Sequence, residues 1–278
     1  MGSIRKTLGK DYVRNEYFKH RPFTGIFYYW FLKFLFRNVF RLLHFSKILI
    51  IESVKPGSND KVKLAEMLFD TFHAPSICFA TPAPLALYAS GRTTGVVVEC
   101  GSSLTSVTPV FDGLPLTHAV NIMEFGGQDI TAQIRKQLAD KNIFIESFDA
   151  KLVKEKLGQV LPTNIIDKSK ENIINKYELP DGTEIEIDNK IIISATETLC
   201  CNNKFIPNGL VVQLSDSLNL CDDSVFKELA DNIILSGGGS MLNGINFNLH
   251  TYTHTHTHTH THTHTAIISF FFNYYFQG

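Results

Sequence analysis

The stretch from Leu87 to Asp129 constrains the fold more than any other part of the chain. Gly91-Arg-Thr-Thr94 predicts a turn. The β-branched run Gly95–Glu99 after it predicts a buried strand. Gly101, Ser102 and Ser103 predict a tight turn, Leu104–Val110 a second strand, and Asp112-Gly113 a turn into a third short strand. A hairpin tipped by Gly-Ser-Ser has no large side chain to block close approach. It offers backbone N–H groups and two hydroxyls, a geometry that suits phosphate oxygens. The same spacing describes an ordinary hairpin with a small-residue turn, and on spacing alone that plainer reading is preferred.

Five segments resemble the actin family in order and spacing. They are Tyr88-Ala-Ser-Gly-Arg-Thr-Thr-Gly95 with its strand, Phe125-Gly-Gly-Gln-Asp-Ile-Thr131, Val153-Lys-Glu-Lys-Leu157, Tyr177-Glu-Leu-Pro-Asp-Gly-Thr183 and Leu235-Ser-Gly-Gly-Gly-Ser-Met241. One such motif is weak, whereas five in one order are specific. The resemblance implies an α/β protein with the actin-like, two-lobed (ribonuclease H-like) ATPase fold, its first lobe incomplete. Lys10-Asp-Tyr-Val13, Gly25-Ile26 and Trp30 resemble family segments that follow the first phosphate hairpin, so that hairpin is expected to be missing. The expected organisation is a remnant at 1–22, a partial first lobe at 23–92 and a second lobe at 93–248 with an inserted subdomain over about 131–204. A tail at 249–278 is expected to lie outside the fold.

In the chain, 44% of the residues are hydrophobic and 19% charged, with a net charge of −1. Those are globular values, and they give no global field to recruit nucleic acid or an acidic membrane. The five cysteines include no CxxC pair and read as reduced, mostly buried thiols of a cytosolic protein. No apolar segment follows the start directly, so no secretory signal is expected. Residues 23–45 are rich in Phe, Leu and Tyr, but Lys33, Arg37 and Arg41 recur at i, i+4, i+8. That spacing stacks three cations on one helix face, which fits a basic amphipathic membrane helix, a span with three costly charges, or a core helix of the first lobe with its cations in solvent. The resemblance, which implies a helix here, favours the core helix.

Lys47–Glu52 predicts a buried strand, with Asn59 or Asp60 as N-cap of a helix striped by Leu64, Met67, Leu68 and Phe72. Ser76–Ala80 predicts a strand parallel to the first, and Pro84–Ala89 a helix. Ile130, Ile134 and Leu138 mark the inner face of a helix opened by Gly126-Gly127. Lys151–Val160 predicts a charged helix, and Pro180-Asp-Gly182 a hairpin turn before the alternating strand Thr183–Asp188. Asn203–Asn219 reads as irregular, Ser224–Ala230 as a helix and Asn232–Leu235 as a strand. From Thr251 to Thr265, Thr and His alternate but for Tyr252. This repeat offers no apolar core, its histidines no second shell for a metal, and a CA dinucleotide repeat read in frame gives the same pattern.

The resemblance also implies a site. Cofactor contacts map to Gly101, Ser102 and Ser103 of the hairpin, to Gly126 and Gly127 on the ribose side, and to Gly237, Gly238, Gly239 and Met241 on the adenine side. The implied cofactor is ATP or ADP with Mg²⁺, weakly held. Glu99 stands where the family has a shorter carboxylate that holds the metal's water shell, and Ser102 where it has an aspartate. Pro82 and Ser106 replace the glutamine and histidine that position the attacking water, so no catalytic residue is assigned. The helix around Lys154 is expected to supply a basic–acidic pair to ribose and adenine, with Phe148 at the acidic position and Glu146 nearby. The implied function is an actin-like nucleotide-binding subunit, with ATP between the lobes and impaired hydrolysis. The alternative is an actin-fold structural subunit of a dynactin-type or chromatin-remodelling assembly that uses no nucleotide. Implied partners are other actin-family or complex subunits, with no nucleic acid and no membrane span. The implied location is the cytoplasmic cytoskeleton, with the nucleus as alternative.

Overall fold

A computed structural model describes residues 47–52, 60–161, 173–200 and 209–246, and the backbone of 266–268. The readings of residues 1–46, of Asn59 as a cap, and of the Thr-His repeat lie outside the described residues. The chain divides into two compact units, one running to Pro82 and the other from Ala83 to Phe270.

In the first unit, strands β1 (Ile48–Ile51) and β2 (Ile77–Ala80) pair in parallel, Ile48 opposite Ile77. Between them runs α1 (Asp60–Glu66), which widens into a π turn over Met67–Thr71. The parallel pairing is the expected one. The burial of β1 is not, because Leu49 and Ile51 are exposed and only alternate residues turn inward. Successive side chains point to opposite faces of a strand, so an apolar run is buried along its whole length only where both faces are covered. Lys61 pairs with Glu52 and stands 5.9 Å from the centre of the Phe79 ring.

The second unit is built on one mixed sheet. Its central strands are β3 (Gly95–Cys100) and β4 (Thr105–Phe111), an antiparallel hairpin with Glu99 opposite Ser106 and Val97 opposite Thr108. Short β5 (Leu114–Pro115) and β6 (Asn121–Met123) both pair with β4. Strands β7 (Ile174–Glu178) and β8 (Glu184–Asp188) form a separate hairpin with the expected turn. Strand β9 (Ile233–Ser236) lies parallel to β3, with Glu99 opposite Ser236. Strand β10 (Ala266–Ile268) adds to β9 in parallel. The tail expected to stay outside the fold therefore gives three residues to the sheet.

Period-2 alternation sorts the side chains of this sheet into two cores. Val97, Val110 and Ile234 pack with Ala83, Ala86 and Leu87 of helix α2 (Pro82–Ala89). Val96, Val98, Cys100, Val107, Ile233 and Leu235 face the other way, into the larger core. That core is closed by α3 (Gly127–Ala139), α4 (Ser147–Leu157), α5 (Asn189–Cys200), α6 (Leu210–Asn219) and α7 (Asp223–Asp231). The sequence boundary placed at 92/93 leaves α2 in the first lobe, whereas the two units divide after Pro82, and Ala83, Ala86 and Leu87 pack with the second unit's sheet. Ile130, Ile134 and Leu138 are buried as expected.

Two helix readings are corrected. Helix α4 begins at Ser147, one turn before the expected start, and stops at Gly158, whose N–H donates to the Lys154 carbonyl at 2.8 Å. The stretch read as irregular contains α6, because Leu210, Leu214 and Leu218 recur at i, i+4, i+8 and are buried. Burial of that stripe outweighs the low helix propensity of Val211 and Val212. Of the cysteines among the described residues, Cys100, Cys200 and Cys221 are buried and Cys78 is exposed.

Candidate functional site

Strands β3 and β9 run side by side and end at the same edge of the sheet. The loops that leave them, Gly101–Leu104 and Gly237–Met241, emerge together there. Ligands of open α/β sheets bind outside the carboxyl ends of such strands. A third loop, Phe125–Gly127, is tied to the first. The Gly127 N–H donates to the Gly101 carbonyl at 2.9 Å and the Gln128 N–H to the Ser102 carbonyl at 2.8 Å. The Thr105 hydroxyl donates to the Phe125 carbonyl at 2.9 Å. The structure thus brings together Gly101, Ser102, Ser103, Gly126, Gly127, Gly237, Gly238 and Gly239.

Most of these glycines are explained by the loops' own packing. A Cβ on Gly126 would lie 2.6 Å from the Ser102 carbonyl oxygen, and one on Gly239 would lie 2.8 Å from the Cys100 Cβ. Gly237 has φ of 86°, a conformation that costs a residue with a Cβ, and faces the Cys100 backbone. Gly238 differs, since a Cβ there would meet nothing within 4 Å. Its smallness is not required by a neighbour among the described residues. Met241 is 58% exposed beside it.

The helix start at Gly126-Gly127 does not present open N–H groups. Those of Gly127 and Gln128 serve the hairpin carbonyls, and the Gly126 N–H donates to Asp129 Oδ2 at 2.9 Å. What reaches this loop is a lysine from α4. Lys154 Nζ donates to the Gly127 carbonyl at 2.8 Å, and burial lowers its pKa below the usual lysine value. Glu155 opposes that shift and Lys151 adds to it. The acidic neighbour of Lys154 is therefore Glu155. Phe148 is 63% exposed at the second position of α4 and has no polar group to offer, and Glu146 is the N-cap residue.

Glu99, Ser106 and Ser236 share the α2 face of the sheet, because Ser106 and Ser236 flank Glu99 in register. The Glu99 carboxyl is partly buried, and desolvation raises its pKa. Ser106 is 1% exposed, and its Oγ has no hydrogen-bond partner among the described residues. Ser102 and Ser103 are exposed at the hairpin tip. Pro82 is the first residue of α2, where its missing N–H costs nothing. Among the described residues, no group of three or more His, Cys, Asp or Glu could hold a metal by itself, and no helix is long and apolar enough to cross a membrane.

Sequence reasoning singled out these loops but missed Thr105, which ties two of them, and Thr108, which shares Ser106's face. A hydroxyl two residues from Ser106 on a strand was the available signal for Thr108.

The family model described as Actin matches residues 43–156 and 150–269. Centractin of Schizosaccharomyces pombe is 34% identical over 208 residues, which cover 71% of this chain and 54% of centractin. The chain thus spans about half the length of that relative. With matched segments covering most of the sequence and an α/β sheet that carries the motifs in order, the chain belongs to the actin family.

Proposed function

We propose that this chain binds ATP or ADP with Mg²⁺ against its three glycine loops, hydrolyses it slowly, and serves as a subunit of an actin-like cytoskeletal or scaffold assembly in the cytoplasm. The observation that carries the nucleotide reading is the convergence of the Gly101, Gly126 and Gly237 loops at one sheet edge, with open space over Gly238 and the half-buried Lys154 bonded to the Gly127 carbonyl. Exposed Ser102 and Ser103 offer hydroxyls to phosphate oxygens, Lys154 a cation near the ribose, and Met241 an apolar surface for a base. Bound Mg²⁺ would neutralise phosphate charge, and a partly buried Glu99 suits a cation that keeps most of its water shell.

Slow hydrolysis follows from Pro82 and Ser106, which stand where the resemblance implies groups that position the attacking water. Pro82 has no side-chain donor or acceptor. Ser106 carries one short hydroxyl in place of a longer group that could orient water. Phosphoryl transfer depends on positioning and charge stabilisation, so losing a positioning group slows it. With Ser102 at the hairpin tip, Glu99 is the carboxylate that β3 itself offers to a metal's water shell. The same residues support the second reading, a structural subunit that holds nucleotide statically or not at all.

The test is titration of the full chain with a fluorescent ATP analogue, with and without Mg²⁺. Saturable binding with a Kd below about 1 mM is expected. Gly238→Val should weaken it at least tenfold while leaving the melting temperature unchanged. Absence of saturable binding sinks the nucleotide reading and leaves the structural one.

A further inference from the structure

We infer that Glu99, Ser106 and Thr108 hold a single buried water between β3 and β4, on the face that carries α2. Ser106 and Thr108 are each 1% exposed, and neither hydroxyl has a hydrogen-bond partner among the described residues. Orphaned hydroxyls so deeply buried are rare in folded proteins, and ordered water is the usual remedy. Both side chains share the face of Val110, against which Ala83, Ala86 and Leu87 pack, so both are shut away from bulk solvent. Residues two apart on a strand stand about 6.8 Å apart at Cα. One water with two hydrogen bonds of about 2.8 Å spans about 5.5 Å, which two hydroxyls turned toward each other meet. A buried water needs a third partner. Glu99 supplies it, directly opposite Ser106 in register and with Cβ atoms about 5 Å apart. Its carboxylate accepts a hydrogen bond from the water, while the two hydroxyls complete the shell. The site lies beside the proposed nucleotide loops but does not require nucleotide to be bound.

The test measures thermal midpoints of the full chain, free of nucleotide, for Thr108→Val, Ser106→Ala and the double variant. Valine keeps the shape of threonine and removes only the hydroxyl. If the water is present, Thr108→Val breaks one of its hydrogen bonds and lowers the midpoint by about 2–6 °C. The double variant should then fall by less than the sum of the singles, because both lose the same water. If the hydroxyls are simply orphaned, removing one relieves a desolvation cost. An unchanged or raised midpoint for Thr108→Val, or strict additivity, overturns the inference. Should Thr108→Val fail to fold, Ser106→Ala decides on the same sign: a lowered midpoint supports the water and an unchanged or raised one refutes it.

Discussion

Replacing Gly126 by alanine isolates the joint between the hairpin and α3. At φ −153° the backbone is extended, so alanine adopts it without strain. The cost is steric. The new Cβ would lie 2.6 Å from the Ser102 oxygen and 2.8 Å from the Gly101 oxygen, both backbone atoms that cannot swing aside. Those two carbonyls accept the hydrogen bonds from Gly127 and Gln128. Relieving the overlap means moving the hairpin off the helix start and weakening both bonds, at about 0.5–1.5 kcal/mol each. A gain of about 0.4–1 kcal/mol from the stiffer unfolded chain offsets part of this. The net loss is about 1–2 kcal/mol, or roughly 2–8 °C in a unit of this size. Differential scanning calorimetry of the nucleotide-free chain reads it directly. A midpoint within 1 °C of the parent would refute the claim that this glycine exists to seat one loop on another, and would leave ligand contact as its reason.

Gly237→Ala should destabilise more than Gly126→Ala, because it adds a left-handed strain to a clash with the Cys100 backbone; chemical denaturation of the two side by side checks the order. Lys154→Met should change how stability varies with alkaline pH. The folded chain lowers the Lys154 pKa from 10.5, so the unfolded chain binds the extra proton between the lowered value and 10.5, and the parent gains stability relative to Met as pH rises through that window. Urea midpoints at pH 7 and pH 9.5 test it, and a difference between the two proteins that is flat with pH would contradict it. Pro82→Gln with Ser106→His should raise ATP turnover only in part, since Ser102 still lacks a carboxylate; parent turnover already equal to the double variant's would show that another residue positions the water.

The β3–β4 hairpin was legible because Gly-Ser-Ser and Asp-Gly punctuate β-branched runs, and local rules of that kind survive into tertiary structure. The inner face of α3 was legible for the same reason, from Ile130, Ile134 and Leu138. Helix α6 was not, because Val211 and Val212 argue locally against a helix and only burial of Leu210, Leu214 and Leu218 decides otherwise. Helix α5 escaped notice likewise, through the run Ile191-Ile192-Ile193. At the candidate site, the glycines were visible but not their division of labour. Which glycine seats a loop and which leaves open space depends on atoms distant in sequence, such as the Cys100 carbonyl beneath Gly237. The capture of the α3 N–H groups by hairpin carbonyls is likewise a tertiary fact.

The pairing of Val96 with Ile233 joins residues separated by nearly half the chain. A ribosome adding about 5–20 residues per second therefore leaves the open edge of β3 waiting on the order of ten seconds for β9 to emerge. Throughout that interval the nascent hairpin is a bare template, ready to take any extended apolar segment that drifts past. Synthesis of this protein thus has a vulnerable period, and a holdase that covers β3 until residue 236 clears the exit tunnel would raise its yield without altering the finished molecule.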